Sequence, residues 1–167
     1  MPRSGPVLIA FDGTPAAEHA IREGGPLLAR RDALVMVVWK QGLGFELVAL
    51  PASEIGLPPM VLDATTALEI DREMLKAAES QAQRGTVVAR EAGLDAAPLV
   101  VADDPDTAIH ETILRVARER DATAILMGAH GHGAIAEALL GSTTRGVLRH
   151  ADAPVLVVRH AKSGSSS

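Results

Sequence analysis

Five short apolar runs, residues 7–11, 34–39, 98–102, 124–127 and 154–158, are separated by segments whose apolar positions recur every three or four residues. Runs with no polar alternation suit strands buried on both faces of a parallel sheet, and the intervening periodicity suits helices. Thr14-Pro15 reads as an N-cap followed by the first helical residue, with Ala17, Ala20, Ile21, Gly24 and Leu28 on one stripe. Gly24-Gly25-Pro26 is expected to kink or break that helix, because Pro26 has no N–H for the carbonyl of Arg22. Thr66-x-x-Glu69 has the form of a capping box, after which Ala67, Ile70, Met74, Ala77 and Ala78 mark one face, with Gly93 as the stop. A helix over about residues 107–120 turns Ile109, Ile113, Val116 and Ala117 inward and His110, Glu111, Arg118 and Glu119 outward. A shorter helix carries Val147 and Leu148. Strands alternating with helices predict an α/β domain, a five-stranded parallel sheet with helices on both faces. One domain spans 1–160, and 161–167 is expected to be a disordered tail. Residues 40–62 make an unusually long connection, either a lid or a mobile excursion.

Composition removes several function classes. The chain has 167 residues, 47% hydrophobic but only 2% aromatic, so platforms for stacking single-stranded nucleic acid are nearly missing. With no cysteine, a disulfide framework, a thiolate metal site and a cysteine nucleophile are all excluded. The net charge of −5, with cations scattered, gives no basic face for a nucleic acid partner. No apolar stretch approaches the ~20 residues of a membrane span. The early run is too short for a signal peptide, so a soluble, cytoplasmic protein with no membrane partner is expected.

In parallel α/β sheets, ligands bind beyond the carboxyl ends of the strands, where the strand order reverses. Asp12 and Gly128 both fall at such ends. The strongest local signal follows: Gly128-Ala129-His130-Gly131, nine residues, then Gly141-Ser142 opening a helix. Glycines at 128 and 131 are expected to take positive φ and let the backbone approach a ligand closely. Turned N–H groups and a helix N-terminus together suit an anion, phosphate above all. No Gly-x-x-x-x-Gly-Lys and no Gly-x-Gly-x-x-Gly after a strand occurs, so the site reads as one that holds a nucleotide rather than turning it over rapidly.

The spacing Gly128-x2-Gly131-x9-Gly141-Ser142, preceded by Ile125-Leu126-Met127 and followed by Val147-Leu148-Arg149-His150-Ala151 and Pro154-Val155-Leu156-Val157-Val158, resembles the ATP-binding branch of the universal stress protein family. Ile9-Ala10-Phe11-Asp12-Gly13-Thr14 is similar to that family's first strand and its aspartate. The resemblance implies a Rossmann-like sheet of order 3-2-1-4-5 and a homodimer paired through the last strand, Val155–Val158. It implies that Ala10, Phe11 and Asp12 line the adenine and ribose end, that Val38 touches the base, and that Met127 and Gly128 continue the ribose wall. Gly131, Gly141, Ser142, Thr143 and Thr144 would then give donors to the phosphates of ATP, with Mg2+ shared among phosphate oxygens. Relatives commonly carry arginines where this chain has His130 and His132; Arg145 is a candidate substitute.

Plainer readings stand beside these. Asp12 is also a suitable turn or cap residue before Thr14, and the three glycines are suitable for shaping a surface loop. His130 and His132 fit phosphate contact, solvent exposure or, with a third ligand, a metal. Ser142 lacks a nucleophile motif and reads as an N-cap touching phosphate, while His110 and His150 read as surface residues. The reading is therefore an ATP-binding stress-response regulator with slow or no hydrolysis. Its alternatives are a weak ATPase or autophosphorylating enzyme, and a structural dimer that holds no nucleotide.

Overall fold

A computed structural model describes residues 4–42, 44–45, 64–103, 106–129 and 140–159. Within them the strands are β1 (Val7–Ala10), β2 (Asp32–Lys40), β3 (Asp95–Asp103), β4 (Ala124–Gly128) and β5 (Val155–Val158). The helices are α1 (Pro15–Gly24), α2 (Ala64–Glu91), α3 (Ile109–Glu119) and α4 (Ser142–His150). All strand pairs are parallel, in the order β3-β2-β1-β4-β5, with Val7 facing Ala33 on one side and Ala124 on the other. The chain steps outward from β1 through β2 to β3, then crosses β1 to lay down β4 and β5. Crossovers of one hand in two opposite directions must put their helices on opposite faces. Accordingly Ala17 and Ile21 of α1 and Ala78, Ala82, Val88 and Ala89 of α2 pack with Val7, Ile9, Val35 and Val37. Ile113, Leu114, Val116 and Ala117 of α3 and Val147 of α4 pack with Leu8, Met36, Ile125 and Met127. Successive residues of β1 serve alternate faces, which is why an unbroken apolar run was needed there.

Local signals explain most boundaries. The Thr14 hydroxyl accepts from the Ala17 N–H at 3.2 Å, capping α1 with Pro15 as its first residue. At Gly24-Gly25-Pro26 the α-helix stops, and a single 3-10 turn, Pro26–Leu28, follows. Gly93, at φ +90°, stops α2 as expected. Three expectations need correction. Thr66 lies inside α2, which already includes Ala64, so Thr66 is no N-cap; tertiary packing of Ala67, fully buried, carries the helix past the local signal. β3 begins at Asp95 rather than Pro98, because β3 is an edge strand and a proline there removes no ladder hydrogen bond from the sheet interior. Ile109 opens α3 but is 43% exposed rather than in the core. The expected lid or excursion beyond residue 45 and the tail 161–167 lie outside the described residues.

Candidate functional site: a cavity over the carboxyl ends of the strands

Beyond the carboxyl ends of β1, β2 and β4 lies a cavity of about 600 Å³. Its floor is Ala10, Phe11 and Asp12 after β1, residues 36–40 of β2, and Met127 and Gly128 of β4. Residues 141–144 of α4 close one end. Met74, Ala77, Ala78 and Gln81 of α2 form one wall, and Ile109 and Ile113 of α3 the opposite one. The cavity straddles β1 and β4, the pair between which the chain reverses its direction of travel across the sheet.

Ten of the residues singled out from sequence border this space: Ala10, Phe11, Asp12, Val38, Met127, Gly128, Gly141, Ser142, Thr143 and Thr144. His130, Gly131 and His132 lie outside the described residues. Asp12 sits in a tight turn, its Oδ1 accepting from the Thr14 N–H at 3.0 Å and the Thr14 hydroxyl at 2.6 Å. It is thus both a turn residue and a cavity wall. The Phe11 N–H donates to the Met36 carbonyl at 2.9 Å, extending the β1–β2 pairing to the cavity edge. Behind the ring, Gly85 of α2 leaves room: a Cβ there would stand 2.8 Å from Phe11 Cδ1 and from Val35 Cγ1.

The glycines work differently from expectation. Gly128 is the last residue of β4, paired with Val158, and Gly141 has φ −59°, so neither takes positive φ. Their service is space. The glycine at this edge that does need positive φ is Gly13, at +78°, pressed under α2 so that a Cβ would meet Gln81 Cδ at 2.8 Å. Arg84 Nη2 donates to the Gly13 carbonyl at 3.1 Å and Arg84 Nε lies 3.4 Å from Glu18, which fixes that turn.

At α4 the N-cap is Gly141, not Ser142, which is the exposed first helical residue. Gly141 brings no side-chain acceptor, so the first-turn N–H groups are left to what enters the cavity. The Gly141 N–H donates to the Ala129 carbonyl at 2.9 Å, drawing the start of α4 to the end of β4. Thr144, 3% exposed, gives its hydroxyl proton to the Gly128 carbonyl at 3.1 Å, which ties the two more firmly. Arg145, the proposed compensating cation, is exposed, and His110 and His150 stack on each other with centroids 6.1 Å apart.

Sequence reasoning missed Trp39, Lys40, Gln81 and both isoleucines of α3. Met74, Ala77, Ala78 and Gln81 do follow helical spacing, but periodicity does not distinguish a core face from a cavity face. Lys40 lies two residues beyond Val38, on the same side of β2.

The model of the universal stress protein family matches residues 40–159. Universal stress protein MJ0577 of Methanocaldococcus jannaschii is 41% identical over 54 residues, so this chain spans about a third of that relative's length (33%) and uses 32% of its own. A solved structure of MJ0577 superposes with a TM-score of 0.70 at 21% identity, covering 96% of this chain and 99% of the other. A universal stress protein from Archaeoglobus fulgidus in complex with dAMP superposes with a TM-score of 0.58 at 18% identity, covering 93% and 98%. Another, in complex with cAMP, superposes with a TM-score of 0.58 at 19% identity over the same shares, 93% and 98%.

Proposed function

The chain belongs to the universal stress protein family, and on that premise we propose that it is a regulatory protein that holds ATP in the cavity over its strand ends, with slow or no hydrolysis. The observation that carries this reading is the join of an apolar chamber to the uncapped first turn of α4. A base and ribose suit the chamber between Val38, Met127 and Ile113, and phosphates suit the N–H groups of Ser142, Thr143 and Thr144. The volume, about 600 Å³, lies within the range of small-molecule sites, ~300–1,000 Å³. The dAMP and cAMP complexes of relatives add support for a nucleotide. The described residues contain no group of three His, Cys, Asp or Glu side chains for a metal, so Mg2+ fits this site only on phosphate oxygens, with Asp12 the carboxylate at hand. Bound there, the ion would neutralise phosphate charge.

Retention rather than turnover follows from the donor set. Asp12, the carboxylate bordering the cavity, already accepts two hydrogen bonds from Thr14 and is poorly placed to act as a base. A second reading, self-phosphorylation, draws on Ser142, whose side chain is exposed at the first position of α4. We further propose a homodimer through β5, whose apolar residues Val155–Val158 are all only partly covered at the sheet edge. Among the described residues no helix is long and apolar enough to cross a membrane.

The test is direct: denature freshly purified protein in acid, chromatograph the supernatant, and titrate stripped protein with ATP. Released adenine nucleotide, or micromolar binding worth about 8 kcal/mol, is expected. No nucleotide in the supernatant together with no heat at millimolar ATP overturns the reading. Phosphate release faster than once per minute under Mg2+ would favour an enzyme instead.

A further inference from the structure

The cavity has a second polar end, opposite α4. Lys40, the last residue of β2, borders the chamber, yet its side chain is only 22% exposed. A lysine serving solubility at a strand end would extend into water. This one turns back across the sheet edge. Its ammonium donates to the backbone carbonyl of Thr107 and lies 3.8 Å from Asp103 Oδ2. Asp103, its cross-strand neighbour in the β2–β3 register, is 10% exposed and also accepts from the Thr112 hydroxyl. A nitrogen donor and a carbonyl acceptor are therefore held side by side, within a hydrogen bond of each other, at the end of the cavity away from the phosphate-suited turn. Between the two ends the lining is apolar, from Val38 and Met127 to Ile113.

We infer that Lys40 and the Thr107 carbonyl form a donor–acceptor pair that selects a 6-aminopurine over a 6-oxopurine. The inference rests on the nucleotide reading above and adds its base specificity. An adenine edge presents an exocyclic amine next to a ring-nitrogen acceptor; guanine presents O6 and N7, two acceptors, on the corresponding edge. The ammonium donates to the ring nitrogen, and the amine donates to the second lone pair of the Thr107 oxygen. A 6-oxopurine sets its O6 against that oxygen with no proton between them. On its other edge the donor and acceptor exchange places, and a base tethered to phosphates at α4 cannot turn over to correct the order. A buried polar pair left mismatched is the strongest source of discrimination that a small site has.

The experiment compares ATP with inosine triphosphate, which differs only in the 6-oxo group and the N1 proton that accompanies it. Trp39, the sole tryptophan and a cavity wall, reports binding by fluorescence, with calorimetry as the second measurement. In the unaltered protein ATP binds roughly ten- to a hundredfold more tightly. Lys40→Met keeps the apolar stem and brings the two within about threefold, by weakening ATP rather than by strengthening the inosine nucleotide. Equal affinities in the unaltered protein overturn the inference while leaving nucleotide binding intact, as does an unchanged ratio in Lys40→Met. Failure of the unaltered protein to bind either nucleotide overturns the functional reading and this inference with it. If Lys40→Met does not melt cooperatively by circular dichroism, the ratio in the unaltered protein decides alone.

Discussion

Two residues at the cavity edge separate structural from ligand roles. The Asp12 carboxylate takes both the N–H and the hydroxyl of Thr14, and the same hydroxyl oxygen accepts from Ala17. Asp12→Ala therefore breaks a chain of bonds that begins α1. A loss of about 1 kcal/mol is expected in urea denaturation, the usual magnitude for a cap or a hydrogen bond. Asp12→Asn keeps an oxygen acceptor and should recover most of that stability, so any nucleotide affinity it still lacks belongs to the charge. Gly128 gives the converse case. Its extended backbone accepts alanine without strain, so Gly128→Ala should melt within a few degrees of the parent, yet the added methyl enters the chamber floor. ATP affinity is expected to fall at least about tenfold, as a methyl misplaced in a tight pocket commonly costs. A variant that binds ATP as the parent does would show that the base and ribose do not sit over Gly128.

At the scale of elements, α2 is where competing effects can be weighed. It is 28 residues long and packs Ala78, Ala82, Val88 and Ala89 on the sheet, small residues that bring its axis close. Gly85 marks the tightest approach, against Phe11 and Val35. In an exposed helix, glycine to alanine gains about 1 kcal/mol of propensity. Here the methyl would meet two buried side chains at 2.8 Å, and overpacking costs ~1–3 kcal/mol. Gly85→Ala is thus expected to lower the urea midpoint, and because Phe11 must shift, to weaken nucleotide binding as well. A raised midpoint would mean that α2 rides higher on the sheet than this packing requires. The tie between β4 and α4 is the companion case. Thr144→Val leaves the Gly128 carbonyl without its partner and should cost about 1–3 kcal/mol.

For the whole molecule, the two sheet edges differ. β3 carries Pro98 and ends on charged Asp103, whereas β5 is apolar throughout. Pairing of β5 with a second copy predicts sedimentation near twice the chain's 17.4 kDa at micromolar concentration, and a single-chain mass at every concentration would dismiss the dimer. The order β3-β2-β1-β4-β5 came from the resemblance, and the strand and helix content from unbroken apolar runs and helical periodicity, because burial on both faces leaves a pattern in any chain that must satisfy it. Asp12, Gly128 and residues 141–144 were legible for a related reason: strand ends and helix starts are where a parallel sheet can present backbone groups to a ligand. Trp39, Lys40, Gln81 and Ile109 were not, since which face of a helix or strand end meets a cavity depends on how far neighbouring elements stand apart. The roles of the glycines also waited for the structure. Which glycine bends the backbone and which leaves space is a matter of φ and of nearby atoms: Gly13 turns at +78° under α2, while Gly128 runs straight in β4. Local chemistry determined the kinds of element and the edge on which they gather their polar groups. Only three-dimensional packing, which brings residues 40, 103 and 107 within one hydrogen-bonded cluster, decided what stands at the far end of the chamber.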